Sequence, residues 1–176
     1  FIKLRAETDS SALKKKFSNE TIYRKNLPSN NSSRSLYNIA EKIRYETLGG
    51  KMLKGIEKNF QENYSHIINT KRKDQLKTKE DVPVTEAFEL YMLKNFHQIE
   101  LNPLTSKMLN FWEKDFEQSI EKHKRFLKKN IENQDEYGSR FSKILEEMDI
   151  FQGEEDEEKT EENQDQGQDN PSNDDQ

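Results

Sequence analysis

The chain has 176 residues, carries 34 acidic against 29 basic side chains for a net charge of −5, and is 30% hydrophobic, which fits one domain of ordinary size rather than two. Cysteine is absent, so a disulfide framework and a Cys-based zinc site are excluded and nothing points to an oxidising compartment. No apolar run approaches the roughly 18 residues that a membrane-spanning helix needs.

Along the chain the periodicity is helical, with no alternating strand pattern. Residues 4–17 predict a short amphipathic helix and residues 21–27 a second one, stopped by Pro28. Residues 30–33 read as a polar loop with capping chemistry for the next helix. In that helix Leu36, Ile39, Ala40, Ile43 and Thr47–Leu48 recur at three-and-four spacing as one apolar stripe. Gly49–Gly50 interrupts it, as a helix end or kink would. A second stripe resumes with Met52, Leu53, Ile56, Phe60, Tyr64, Ile67 and Ile68, and residues 69–81 read as a charged loop.

Pro83 suits the first turn of a helix burying Ala87, Phe88, Tyr91 and Met92. Asn102–Pro103 is a capping side chain followed by proline at the first helical position. It opens the longest helix that the pattern predicts, residues 103–129, with Leu104, Met108, Phe111, Trp112, Phe116, Ile120 and Leu127 inward. Asp135 is placed to cap a last helix whose face is Phe141, Ile144, Leu145 and Met148. The expected fold is all-α, an irregular bundle of about six or seven helices.

Charge changes abruptly after this body. From Glu154 to Gln176 there are eleven acids, one lysine (Lys159) and no aliphatic or aromatic side chain. Such a segment cannot bury enough apolar area to offset chain entropy, so residues 153–176 are expected to be a disordered acidic linker behind a helical domain of residues 1–152. That run carries −10, leaving a body of about +5. Because the chain opens on Phe1 inside a charged helical pattern and ends inside the acidic run, it reads as a piece of a longer protein.

Chemistry is sparse. His66, His97 and His123 are about thirty residues apart, each without an acidic or histidine partner at i+4, and read as surface or boundary residues rather than metal ligands. Asp9-Ser10-Ser11 begins like an Asp-x-Ser-x-Ser cation motif, but position 13 is Leu, so it reads as a helix cap. There is no phosphate-cradling Gly-Lys-Ser/Thr element, and no serine sits in a nucleophile-elbow context. Basic clusters at Lys14–Lys16, Lys71–Lys73 and Lys122, Lys124, Arg125, Lys128, Lys129 are interleaved with acids such as Glu113, Asp115, Glu117 and Glu121, and nucleic-acid binding is not expected. No catalytic, cofactor-binding or metal residue is assigned. Arg44 and Glu46 beside the apolar stripe read as an ion pair within or between helices, with a subunit contact as the alternative.

The order of these features is similar to a known family. Residues 6–28, with Asp9-Ser10-Ser11-Ala12-Leu13 and a closing Leu27–Pro28, resemble the N-terminal region of the T subunit of aerobic cobaltochelatase. The run from Leu36 through Arg44, Glu46, Leu48 and Gly49 resembles that family's Arg-x-Glu-x-Leu/Ile-Gly helix, and Gly55 falls where the family has glycine. Leu109-Asn-Phe-Trp112 is similar to its Leu-x-Leu-Trp segment, and residues 132–149 to its last helix before a long acidic linker. The chain departs from the family in being Lys- and Asn-rich where relatives are Arg- and Ala-rich.

The resemblance implies a non-catalytic subunit of a cytoplasmic ligase that inserts cobalt into a corrin ring intermediate of cobalamin synthesis. It implies a ring-forming ATPase partner and a large macrocycle-binding subunit, with ATP and cobalt used by the complex and no cofactor in this segment. It also implies a metal-ion-dependent adhesion-type domain downstream of the linker, and makes Arg44, Glu46 and Gly49 candidates for a subunit contact. The alternative is a stand-alone helical interaction or chaperone-like protein with an acidic tail and no role in metal insertion.

Overall fold

The computed structural model describes residues 1–71 and 76–148. The expected disordered acidic segment lies outside the described residues. The described residues are all-α, as expected, with no strand among them. The chain begins with α1 (Ile2–Phe17) and α2 (Glu20–Lys25), the latter capped by the Asn19 side chain, which accepts from the N–H groups of Thr21 and Ile22. The next helix, α3 (Asn31–Met52), is 22 residues long and starts where Asn30 accepts from the Ser33 N–H. Asp9-Ser10-Ser11 does not cap a helix but lies within α1, where three side chains make three separate bonds, to Asn59, Glu46 and the Glu7 carbonyl.

Gly49–Gly50 do not interrupt α3, which runs through both. The break comes at Leu53, which is extended, and α4 (Lys54–Thr70) starts immediately after it. A 3₁₀ turn at Lys79–Asp81 precedes α5 (Val84–Phe96), which Pro83 flanks as the residue before the first turn. The Asn102 and Thr105 side chains cap α6 (Pro103–Asn110) reciprocally, with Pro103 in the first turn as expected.

The single long helix expected over residues 103–129 is instead α6, then α7 (Glu113–Ile120), a 3₁₀ turn at Glu121–His123, and α8 (Lys124–Lys129). A straight helix of that span would be about 40 Å long and would carry much of its apolar face past the body. Trp112 forces the first turn: its indole N–H donates to the Val82 carbonyl at 3.0 Å, its ring stacks on Phe116 at 6.4 Å, and the Lys79 ammonium lies 4.1 Å above it. The segment therefore curls, and Phe116, Ile120 and Leu127 are all buried. The last helix, α9 (Gln134–Glu146), is capped by Asn133 rather than by Asp135, whose carboxylate binds Lys25 and Asn26.

The longest helix is α3, and it is the spine against which α1, α4, α5 and α9 pack. Leu36, Tyr37, Ala40 and Ile43 from α3 share one core with Phe88, Tyr91 and Met92 of α5, Phe116 of α7, and Phe141 and Ile144 of α9. Phe116 sits 5.4 Å from both Phe88 and Tyr91, edge-on to the first. Among the described residues no helix is long and apolar enough to cross a membrane.

Candidate docking site around Arg44 and Glu46

One stretch of α3 buries three charged side chains, Glu41, Arg44 and Glu46, and the fold treats the last two differently. Arg44 is 1% exposed. Its Nε and Nη2 donate to the two oxygens of Glu41 at 2.9 Å each, Nη1 donates to the Ile131 carbonyl at 3.1 Å, and Nη2 also reaches the Phe17 carbonyl at 2.6 Å. A planar fork of fixed donors suits this task, because it clamps a carboxylate and two backbone carbonyls at once. Arg44 thus ties the end of α1 and the turn before α9 to the spine. The ion pairing expected for these two residues lies within α3, Arg44 with Glu41 and Glu46 with Lys42.

Glu46, also 1% exposed, points toward α1 and α4. Ser10 donates to its Oε1 at 2.6 Å and the Tyr64 hydroxyl to its Oε2 at 2.5 Å, while the Lys42 ammonium stands 4.0 Å away. Burial raises its carboxyl above the usual range, against the opposing pull of Lys42, Ser10 and Tyr64. His97, at the end of α5, places Nε2 3.7 Å from Oε2, too far for a hydrogen bond, and that buried nitrogen has no partner among the described residues. Burial pulls the imidazole down to about 4, with Glu57 opposing and Lys42 reinforcing, so the ring is neutral at pH 7.

Glu46, Phe60, Tyr64 and His97 line a cavity of about 190 Å³, together with Lys51, Glu57 and Gln98. A second cavity, lined by Ser10, Lys42, Tyr45 and Asn63, lies on the other side of the Glu46–Tyr64 pair. Asn63 Oδ1 is likewise buried without a partner among the described residues. Gly49 sits where α1 crosses α3: a methyl group there would fall 2.3 Å from Leu13 Cδ1. Next to these residues the helix break at Leu53 leaves two large apolar side chains in solvent, Met52 at 46% and Leu53 at 52% exposure.

Arg44, Glu46 and Gly49 therefore lie within about one and a half turns of α3, but their side-chain positions face inward. Any part they take in a subunit contact comes through the surface they shape, not through their own atoms. Sequence spacing does not reveal Ser10, Tyr64 or His97 as their neighbours, because each lies outside α3 and none stands at helical spacing to Glu46. His66 is exposed and His123 contacts Arg140. No cluster of three or more His, Asp or Glu able to hold a metal occurs among the described residues. The Glu46–His97 pair is not a hydrogen-bonded dyad.

Among family models, the one described as Cobalamin biosynthesis protein CobT matches residues 1–176, the whole chain. No curated protein and no solved structure gives a significant match.

Proposed function

The chain belongs to the CobT family of cobalamin biosynthesis proteins, and on that premise we propose that it is a non-catalytic subunit of an ATP-dependent cobaltochelatase. In this reading cobalt and the corrin ring are substrates of the complex, and ATP is consumed by a ring-forming partner. The helical body of residues 1–152 docks on that ATPase ring, and residues 153–176 serve as an acidic tether. A large macrocycle-binding subunit completes the assembly, in the cytoplasm.

The observation that carries the reading is the family match over the entire chain. The geometry supports a docking role in a specific way. Met52 and Leu53 are exposed where α3 breaks, beside Lys51 and Glu57 at the Glu46 cavity, while the helices beneath them are fixed by Arg44 and Glu46. Exposed apolar side chains on a rigid support are what a protein interface uses as anchors. The contact proposed for Arg44, Glu46 and Gly49 is thus the face they hold in shape.

The test is cobalt insertion into a corrin precursor by the purified large and ATPase subunits, with and without this protein. Insertion that needs both ATP and this chain is the predicted result. Full insertion without it would move the stand-alone, chaperone-like reading to first place.

A further inference from the structure

The Arg44 clamp has a second effect, on the surface above it. By binding the carbonyls of Phe17 and Ile131 it brings the end of α1 and the turn after α8 to the same corner of the molecule. The last turn of α1 carries Lys14, Lys15 and Lys16, and the last turn of α8 carries Lys128 and Lys129. All five are exposed, and none is in an ion pair among the described residues.

The acids next in sequence to these two chain ends, and the one in the Arg44 clamp, are mostly taken. Glu20 is held by Arg24, Asp135 by Lys25 and Glu41 by Arg44, which leaves Glu132 and Glu136. Five lysines against two carboxylates make a corner of about +3 on a body that is itself positive, and such a local potential attracts a polyanion.

We propose that this lysine corner is the docking surface for the chain's own acidic run, residues 154–162, which acts as an electrostatic latch on the body. Charge complementarity argues for this occupant, since the run places Glu154, Glu155, Asp156, Glu157, Glu158, Glu161 and Glu162 against the single Lys159. Reach argues for it as well. The start of α9 is bound to the corner, where the Gln134 side chain accepts from the Asn19 N–H at 2.7 Å and donates to the Asn19 carbonyl at 3.1 Å. A 13-residue helix is about 20 Å long, so a chain leaving its far end must return by that distance. The six residues from Met148 to Glu154 span about 20 Å when extended, enough to bring the first acids of the run to the corner. Being covalently joined, the run meets the lysines at a high effective concentration that an outside acidic peptide does not share.

The latch is independent of ATPase docking, and its test needs no partner. Zero-length carbodiimide coupling of the intact protein joins carboxylates to amines in contact, and peptide mapping locates the links. The latch predicts links from residues 154–162 to Lys14–Lys16 and Lys128–Lys129 at least about five-fold more often than to the exposed Lys54, Lys58 and Lys107. Those links are lost at about 1 M salt, where the Debye length is about 3 Å. A variant with all five corner lysines changed to Gln, run beside the wild type by size exclusion at low salt, elutes at a larger hydrodynamic radius. Links spread evenly over exposed lysines, links indifferent to salt, or an unchanged radius in the variant would each overturn the proposal.

Discussion

Glu46 and His97 face each other across 3.7 Å and respond to pH with opposite signs. His97 has its proton affinity depressed to about 4 by burial, so between that value and its usual value of about 6.5 the unfolded chain binds more protons than the folded one. Its contribution to stability is full above about pH 6.5 and is lost as pH falls through about 4. Glu46 has its proton affinity raised by burial. Its contribution is full below about pH 4.5 and is lost as pH rises through the folded value. Urea melts between pH 4 and 7 separate the two by slope rather than by absolute stability. H97Q should lose the acid-side fall in stability, and E46Q should show that fall more steeply than the wild type. Parallel pH profiles for wild type and H97Q would contradict the burial of a neutral imidazole. None of this is legible in the sequence, where His97 has no partner at i+4. The pairing is tertiary, made by α3, α4 and the end of α5, and local spacing carries no record of it.

Elements are legible where local chemistry decides them. The Asn102–Pro103 start of α6 and the apolar faces of α5 and α9 follow from capping and periodicity, and the structure keeps all three. The pattern misleads where a distant contact decides. Gly49–Gly50 has the appearance of a stop, but Gly49 is the point at which the Leu13 side chain of α1 lies against α3, a close approach that a helix of larger residues would block. Trp112 looks like one more inward residue of a long helix, but its hydrogen bond to Val82 turns the chain. Two glycine substitutions tell a crossing glycine from a merely tolerated one. G49A should destabilise by about 1–3 kcal/mol, because the new methyl overlaps Leu13, which is itself buried. G55A, in the first turn of α4 with nothing within 4 Å of the added carbon, should stabilise by about 0.5–1 kcal/mol by restricting the unfolded chain and improving helix propensity. Thermal melts read both, and the same sign for the two would contradict the close approach of α1 to α3 at Gly49.

At the scale of the whole molecule, the body combines a rigid interior with an unevenly finished surface. Arg44 fastens the end of α1 and the turn before α9 to α3, and Glu46 joins α1 and α4 to it through Ser10 and Tyr64. Pre-organisation of this kind lowers the ordering cost of association. Two large apolar side chains left in water on such a face are an anchor without a counterpart in the monomer. The docking reading therefore turns on Met52 and Leu53, which are exposed and whose replacement leaves the core intact. The measurement is size-exclusion chromatography with light scattering of the full-length protein mixed with the ring ATPase, with and without ATP, beside the M52D/L53D double variant. Co-elution of the wild type as a large nucleotide-dependent assembly, abolished or weakened at least about ten-fold in a variant that melts normally, is the result predicted. Separate elution of the wild type under conditions where the ATPase itself assembles would contradict the docking role, and undiminished assembly by the variant would contradict its placement on this face.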